Sequence, residues 1–355
     1  MNASLSTTLR TILLSVLLGS ASGVFAAAIV TNALERYAEQ VGGLSIPPAL
    51  SETRPRPFPE TYADAVQRVR DSALPTAVSF FGPGPLSVAP DRYIKNVRSA
   101  GVALTSDGWL MTAAIHPDDL KTETAVVRGM PYPVKQVVSD ATTGVAFVKI
   151  DAVNLPVAAF GSGFEIAPGD LAFVLGAGDR VGSTSFMQVF HPTSASSDAP
   201  SRRLLLSAPM VAEDAGSPVV NTRGELIGLV LSPGSNASVL PLESVLGAFR
   251  SLLRSGNIAR PTLGLVAVDL SSAIGLPSAT TRGRTAGALV QTVVKAGAAS
   301  RAGLRAGDII LSVDGSSLNR DRTLDEYLLD YAPGQTVRFA VDREGKQEEV
   351  EGTLE

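Results

Sequence analysis

The sequence of 355 residues contains no cysteine, only two histidines and a single tryptophan. Without cysteine the chain has no thiol nucleophile, disulfide or cysteine-ligated metal, and we predict neither a metal site nor a cofactor. Charged residues are also few, at 18%, and a net charge of −4 argues against general electrostatic binding to nucleic acid. Because His116 and His191 are the only imidazoles, histidine-dependent catalysis has few possible positions.

Apolar residues and turn-forming residues are abundant. Hydrophobic residues make up 45% of the chain, and it holds 33 glycines and 23 prolines. The length exceeds that of one ordinary domain and suits two. A high turn content favours many short strands over long helices, so the composition predicts a mainly β protein with well-packed cores.

The N-terminal region contains a long uncharged segment, residues 11–34. As a helix it would be about 36 Å long, enough to cross a hydrocarbon core of about 30 Å. We therefore predict a cytoplasmic tail at 1–10, a single transmembrane helix at 11–34 and an extracytoplasmic chain beyond it, because Arg10 favours the cytoplasmic side. The alternative is a cleaved signal peptide, which would make the protein secreted. Residues 35–61 are rich in proline and predict an extended linker.

Short predicted strands separated by glycine, proline and aspartate turns fill the region from 77 to 234. Alternating helices are not predicted between them, which indicates an all-β sandwich or barrel. Examples of these strands are Gly101–Thr105, Trp109–Thr112, Ala125–Val127, Val134–Val138, Val145–Ile150, Leu171–Leu175 and Glu225–Val230.

Collinear motifs in this region resemble the HtrA-type branch of the trypsin-like serine proteases. They include Gly101-Val-Ala-Leu-Thr-Ser-Asp-Gly-Trp-Leu-Met-Thr112, Val138-Ser-Asp-Ala-Thr-Thr-Gly-Val-Ala-Phe-Val-Lys-Ile150 and Ala215-Gly-Ser-Pro-Val-Val-Asn-Thr-Arg-Gly-Glu-Leu-Ile-Gly228. The resemblance implies a double six-stranded β-barrel, predicted for residues 62–256, with any active site in the cleft between the barrels.

The residues at the family's catalytic positions are unsuited to its chemistry. Peptide hydrolysis by this family needs a serine hydroxyl, an imidazole that deprotonates it and a carboxylate that orients the imidazole. By the resemblance, these positions are Ala215, Ile115 and Gly144 here, and Glu213 replaces a glycine of the oxyanion-hole turn. We therefore predict a catalytically degenerate member, a pseudoprotease that is not an enzyme.

A relocated triad is the alternative prediction. His116 and Ser217 lie one and two positions from the expected sites and could act as base and nucleophile. The heavy atoms of such a pair must lie within about 3 Å of each other, which would require backbone shifts in two loops. Otherwise both His116 and His191 are predicted to be solvated loop histidines, since each precedes a proline.

A second unit follows a predicted connecting helix at 242–253, which Gly256 ends. Residues 260–355 resemble the PDZ domains that follow HtrA proteases, most specifically in Ala302-Gly-Leu-Arg-Ala-Gly-Asp-Ile-Ile310. In such a domain an extended peptide adds as a strand beside a helix, and backbone N–H groups hold its C-terminal carboxylate.

The resemblance assigns the residues of this predicted peptide groove. The carboxylate loop and edge strand would be Leu263, Gly264, Leu265 and Val266. Leu324 and Leu328, on a groove helix at 323–331, would line an apolar pocket. The alternative is that both leucines belong to the core of the domain.

These features together predict a membrane-anchored extracytoplasmic protein that binds peptide or protein C-termini through its PDZ domain, as a scaffold, sensor or regulator. Trimer formation is implied by the resemblance only. Two other functions stay open: an active HtrA-type endopeptidase with a relocated triad, and a purely structural component of the cell envelope.

Overall fold

The computed structural model describes residues 61–83, 97–113, 117–192 and 194–355. The predicted tail and anchor and nearly all of the predicted linker lie outside the described residues. Among the residues it does describe, no helix is both long and apolar enough to cross a bilayer. The described chain forms two closed six-stranded β-barrels and one further sheet, which confirms the mainly β prediction.

The first barrel closes in the strand order β1-β2-β3-β6-β5-β4. Two-residue periodicity explains its packing, since Ala146 and Val148 of β6 lie in the barrel interior while Val145 and Phe147 pack on the opposite face. The strands are β1 (Ala77–Phe81), β2 (Val97–Ala103), β3 (Trp109–Ala113), β4 (Thr124–Val127), β5 (Met130–Asp140) and β6 (Val145–Ile150).

The second barrel closes in the order β10-β13-β12-β11-β7-β8. Its interior is filled by Ala172, Val174, Phe186, Leu204 and Ile227, among others. The strands are β7 (Leu171–Gly176), β8 (Arg180–Phe190), β10 (Arg203–Leu206), β11 (Pro218–Val220), β12 (Leu226–Ser232) and β13 (Ser238–Pro241), and a short strand β9 (Ser194–Ser196) leaves this barrel between β8 and β10.

A shared apolar core joins the two barrels and two helices. It contains residues of both barrels, such as Phe147 and Phe173, together with Val69 and Phe249 of the flanking helical segments. The helices of this part are α1 (Tyr62–Arg68), which continues as a π-helix, α2 (Pro117–Leu120) and α3 (Glu243–Ser255). Gly256 ends α3 in the left-handed conformation, at φ 75°, which confirms the predicted connecting helix and its stop.

The C-terminal sheet has the strand order β19-β18-β16-β15-β14-β9, with β17 beside β16. Its outermost strand, β9, comes from the loop of the second barrel. The other strands are β14 (Leu265–Asp269), β15 (Ala288–Val293), β16 (Ile309–Val313), β17 (Ser316–Ser317), β18 (Thr336–Arg343) and β19 (Lys346–Thr353). The short helices α4 (Ser278–Thr281), α5 (Ala298–Ala302) and α6 (Leu324–Leu328) complete this part.

Candidate active site and peptide-binding groove

Ala215 lies in a tight turn between β10 and β11 of the second barrel, and this turn contacts β2 of the first barrel. It follows a single 3-10 turn at Ala212–Asp214, is completely buried and donates its N–H to the Ala212 carbonyl at 3.1 Å. Its own carbonyl accepts the N–H of Ala100 in β2 at 3.0 Å. One hydrogen bond within the turn and one from the first barrel therefore hold the backbone at this position.

Gly216 allows this turn to pack closely against the first barrel. Its φ of 76° is one that side chains rarely adopt. A Cβ at this position would lie 2.2 Å from the Ala100 carbonyl oxygen and 2.4 Å from Thr112 Oγ1. Thr112 Oγ1 in turn donates to the Ala100 carbonyl at 2.5 Å. Only glycine allows the second barrel to approach β2 and β3 this closely.

Ser217 begins the wall of the second barrel and is fully buried. Its N–H donates to the Asp214 carbonyl at 2.9 Å, and its carbonyl accepts the Val230 N–H at 2.9 Å. Its hydroxyl has no hydrogen-bond partner within the described part of the chain. The N–H group of Ser217 is thus bonded within the turn and its carbonyl is bonded to β12, while its side chain is buried.

Asp214 holds the other side of the same turn. One carboxylate oxygen accepts the Val211 N–H at 3.0 Å, and the other accepts from Arg180 Nη2 at 2.7 Å. This carboxylate is largely buried while the guanidinium is half exposed. The ion pair is a structural contact that the motif comparison alone did not reveal.

Gly144 lies at the end of the β5–β6 turn with a φ of 75°. Its N–H donates to the Asp140 carbonyl at 2.9 Å. The Asp140 carboxylate, which is 3% exposed, accepts from Thr143 Oγ1 at 2.6 Å and forms an ion pair with Arg260. Arg260 also donates to the Ser244 carbonyl at 2.9 Å, so the retained aspartate anchors the segment that follows α3. Ile115 and His116 lie outside the described residues.

Four of the predicted groove residues belong to the apolar core of the C-terminal part. Leu263, Leu265, Leu324 and Leu328 are all buried and belong to one apolar cluster. Gly264 between the first two has a φ of 79°, which turns two successive N–H groups toward the same side. Leu324 also lines a small cavity beside β9, together with Ala195, Ala267 and Leu318.

The edge of β14 is covered by the chain itself. β9 pairs antiparallel with β14, with Val266 opposite Ser196 and Val268 opposite Ser194. This pairing escaped the sequence analysis because the triplet Ser-Ala-Ser carries no hydrophobic alternation, and the only available signal was its position between two predicted strands.

Hydrogen bonds extend the pairing beyond β9. Ser197 exchanges two bonds with Leu265: its N–H donates to the Leu265 carbonyl at 2.9 Å, and its Oγ accepts the Leu265 N–H at 3.1 Å. Asp198 Oδ1 accepts the N–H groups of Leu263 at 2.8 Å and Gly264 at 2.9 Å. A carboxylate thus occupies the loop that the resemblance assigns to peptide carboxylates.

Glu326 of the groove helix α6 contacts both ends of the connection between β8 and β10, at His191 and Arg202. Its Oε1 accepts from Arg202 Nε at 2.6 Å and contacts His191 Nε2 at 3.0 Å, and its Oε2 accepts the Thr323 N–H at 2.9 Å. Burial raises the pKa of Glu326, but the bond from His191 and the charge of Arg202 outweigh it and hold that pKa below its usual range. His191, predicted to be solvated, is instead largely buried here because this carboxylate and Arg202 enclose it.

Comparison with known proteins assigns both units. The model of the trypsin-like peptidase domain matches residues 99–229, and that of the PDZ domain matches residues 261–354. A putative serine protease HhoB of Synechocystis is 26% identical over 69% of this chain and 63% of its own length. A probable periplasmic serine endoprotease DegP-like of Bartonella henselae is 26% identical over 72% of this chain and 52% of its own. The chain thus spans between about half and five-eighths of the length of these relatives.

Solved structures share the fold. The HtrA-type protease AlgW with tripeptide has a TM-score of 0.59 and 23% identity, covering 83% of this chain and 96% of its own. The serine endoprotease from Yersinia pestis has a TM-score of 0.52 and 22% identity, covering 84% and 98%.

The relatives correct one prediction. The inference that this chain is not an enzyme, and hence a pseudoprotease, is contradicted by the names of its relatives, which are serine proteases and endoproteases. That inference rested on three positions, Ile115, Gly144 and Ala215. An alanine at 215 excludes that side chain as the nucleophile, but it does not by itself exclude hydrolysis by the chain. The family relation rests on the two domain matches and on these relatives: the chain joins an HtrA/DegP-type trypsin-like peptidase domain to a PDZ domain.

Proposed function

We propose that this protein binds the carboxyl-terminal ends of polypeptides by adding them as a strand to β14 of its PDZ domain. The observation that carries the proposal is the chain's own segment 194–198, which lies on that edge. Its Asp198 carboxylate accepts two backbone N–H groups, from Leu263 and Gly264. The terminal carboxylate of a peptide has the same charge and the same acceptor oxygens, so it suits the same two donors.

The direction of the bound segment supports a terminal carboxylate as the ligand. β9 runs antiparallel to β14. Asp198, which follows β9 in the chain, therefore lies beside the first residues of β14. A peptide laid in the same direction would bring its last residue to the N–H groups of Leu263 and Gly264. An alternative orientation would place its amino terminus, a cation, against two donors and would be unfavourable.

The cavity beside β9 indicates which side chain the ligand carries. Its apolar lining includes Ala267, Leu318 and Leu324. Ala195 of the segment fills only part of it. We therefore propose that the preferred ligands carry a short apolar side chain close to their carboxyl end, where burial of each methylene contributes about 0.8 kcal/mol.

The test compares peptide acids with their amides. Fluorescein-labelled decapeptides ending in alanine or valine would be titrated with the full chain and followed by fluorescence anisotropy. A charged hydrogen-bonded group contributes about 1.5–3 kcal/mol, so amidation of the C-terminus is expected to weaken binding by about tenfold or more. Equal binding of acid and amide would contradict the carboxylate assignment. Binding of neither would contradict the proposal and favour a structural role in the envelope.

Hydrolysis of polypeptides is a second candidate function, and the names of the relatives favour it. It requires a nucleophile other than position 215, and Ser217 is the hydroxyl that the motif offers. Its Oγ is buried, so the turn around Asp214 would have to rearrange before a substrate could reach it. Fluorophosphonate labelling and cleavage of unfolded casein, each lost in Ser217→Ala, would support this function. Labelling that persists in the variant would assign the reaction to another residue.

We further propose an extracytoplasmic location, since several relatives are named as periplasmic. Within this proposal, residues 11–34 remain the proposed anchor, 62–256 the peptidase domain and 260–355 the PDZ domain, and a trimer is a proposed assembly. Protease accessibility of the PDZ domain in spheroplasts, compared with intact cells, tests the location. Membrane retention after alkaline carbonate extraction tests the anchor.

A further inference from the structure

The segment on β14 belongs to a hairpin of the second barrel. β8 and β10 pair directly with each other, with Arg203 opposite Phe190 and Leu204 opposite Val189. The connection between them extends out of the barrel to the PDZ sheet, and its described residues are 191, 192 and 194–202. We name residues 194–198 of this connection the internal strand.

The internal strand is held mainly by polar contacts. Ser194 and Ser196 are exposed, and Ala195 is the only apolar side chain in it. Its attachment includes the pairing with β14, the two bonds between Ser197 and Leu265, the two bonds to Asp198 and the bond from Ser194 Oγ to Gln291 Oε1. Because little apolar surface is buried, the hydrophobic contribution to this contact is small. A peptide that offers the same backbone bonds can therefore replace it.

Unlike the internal strand, the C-terminal end of the connection is held by buried polar contacts. Arg202 is almost completely buried and donates to Glu326, to the Gly163 carbonyl at 3.1 Å and to the Asp321 carbonyl at 2.8 Å. Ser201 donates its N–H to Asp325 at 2.8 Å. These contacts keep the connection beside the groove helix α6 when the internal strand leaves β14. The strand therefore remains available to return to the groove.

We propose that the internal strand is an intramolecular ligand that competes with polypeptide carboxyl ends for the PDZ groove. This inference rests on the proposed function, since it concerns access to the same edge of β14. Asp198 takes the place of the terminal carboxylate, and the strand must leave before a peptide can bind. The apparent affinity for peptides then equals the intrinsic affinity multiplied by the fraction of molecules whose groove is open.

Asp198→Ala tests the competition because it removes the carboxylate of the internal strand and leaves the groove intact. Each freed N–H group, from Leu263 and Gly264, remains available to a peptide. Loss of a doubly hydrogen-bonded carboxylate raises the open fraction, and we expect peptide acids to bind about tenfold more tightly to the full-length variant. Asp119→Ala, an exposed aspartate of α2 in the first barrel, is the matched control and should leave the affinity unchanged.

Hydrogen exchange provides the second measurement. Without peptide, the amide protons of Leu263, Gly264 and Leu265 should exchange faster in Asp198→Ala than in the unmodified chain, while those of the β18–β19 hairpin should not change. Thermal unfolding of each variant establishes that it is folded. Faster exchange at the loop together with tighter binding supports the inference.

The possible failures are distinguishable. If peptide acids bind the unmodified chain and Asp198→Ala equally well, the competition is overturned and the proposed function stands. If neither protein binds a peptide acid, the proposed function is overturned and this inference falls with it. If Asp198→Ala binds and the unmodified chain does not, both are supported, and the groove of the unmodified protein is almost always closed.

Discussion

The turn at Ala215 and the edge of β14 differ in what stands at the positions that the sequence resemblance singles out. In the turn, Ala215 has no hydroxyl, and Gly144 at the end of the β5–β6 turn has no carboxylate. In the groove the binding groups are retained, since Leu263 and Gly264 still present two N–H donors, but Asp198 of the same chain occupies them. A replaced side chain changes only by mutation, whereas a covered groove is governed by an equilibrium that a ligand can shift.

The two regions also differ in rigidity. The turn at Ala215 is enclosed by close backbone approach at Gly216 and by hydrogen bonds to β2. The internal strand lies at the edge of a sheet and exposes two of its serines. Substitutions in the turn should therefore act on stability, while substitutions in the internal strand should act on ligand access.

The largest expected effect is that of Gly216→Ala. The new Cβ would overlap the Ala100 carbonyl and Thr112 Oγ1, and its φ of 76° would add strain. We expect the free energy of unfolding to fall by about 4 kcal/mol or more in urea titrations. Gly264→Ala in the groove is the matched control. It has a similar φ, and its Cβ would come no closer than 3.3 Å to Val294, so a loss of about 1–2 kcal/mol is expected.

Equal losses in the two glycine variants would contradict the difference in rigidity. Equal losses would mean that the positive φ alone causes the destabilisation at both sites, and that the close contact with the Ala100 carbonyl relaxes without cost. If Gly216→Ala lost less free energy of unfolding than Gly264→Ala, the groove and not the turn at Ala215 would be the more rigid region.

The next largest effect is expected for Arg260→Met. This change leaves the buried Asp140 carboxylate with Thr143 Oγ1 but without its cation. Breaking one partner of a buried ion pair costs about 3–5 kcal/mol, and the free energy of unfolding should fall by about 3 kcal/mol. The double variant Asp140→Asn with Arg260→Met should recover part of this loss. No recovery would show that Arg260 acts through its bond to the Ser244 carbonyl and not through its charge.

From its strand pattern alone the sequence predicted an all-β sandwich or barrel, and the double barrel was implied only by the family resemblance. In β6, alternate residues such as Val145 and Ala146 face two different cores, and both cores are apolar. Residues 145–148 of the strand are therefore all hydrophobic and could be recognised from composition. The left-handed conformation at Gly256 ended α3 at the predicted residue because the stop is a local property of the chain.

The covered groove could not be predicted because its determinants are not local. β9 contains only serine and alanine, and its partner Val266 lies far along the chain. In sequence, Asp198 is an aspartate in a serine-rich segment, which is typical of a loop. Only its position in space brings it to the N–H groups of Leu263 and Gly264. His191 was misplaced for the same reason: the carboxylate of Glu326 that buries it comes from a different domain.

Glu326→Gln is expected to lower the free energy of unfolding by about 2 kcal/mol at pH 7, because the buried Arg202 loses its charged partner but keeps a hydrogen-bond acceptor. His191, Arg202 and Asp325 are the charged or titratable groups that face Glu326. Because the pKa of Glu326 is lowered on folding, its contribution is present above about pH 4.5 and is lost as the pH falls through its folded-state pKa.

Urea titrations at pH 7, 5 and 3 would measure this dependence. The difference between the unmodified chain and Glu326→Gln should shrink as the pH falls below 5. Glu351→Gln, in the exposed pair with Arg338, is the control and should change stability by less than about 1 kcal/mol at every pH. A constant difference across this range would show that the carboxylate does not carry the effect.

The smallest effects are expected for two serines, one in each region. Ser197→Ala removes the acceptor of the Leu265 N–H in the groove, and the internal strand should lose about 1 kcal/mol of its attachment. Peptide acids should then bind about fivefold more tightly by fluorescence anisotropy. Ser194→Ala, whose hydroxyl contacts exposed Gln291, should change affinity by less than about twofold.

Ser217→Ala in the cleft should behave in the opposite way. Its Oγ is buried without a hydrogen-bond partner among the described residues, so its removal relieves a desolvation cost. We expect the free energy of unfolding to rise by about 1 kcal/mol and peptide affinity to stay constant. Destabilisation by this change would indicate that the hydroxyl has a bound partner, a water molecule or a second conformation facing the cleft. A second conformation would mean that the turn at Ala215 is mobile enough to present an oxygen to a substrate, and the contrast between a fixed cleft and a reversibly covered groove would no longer hold.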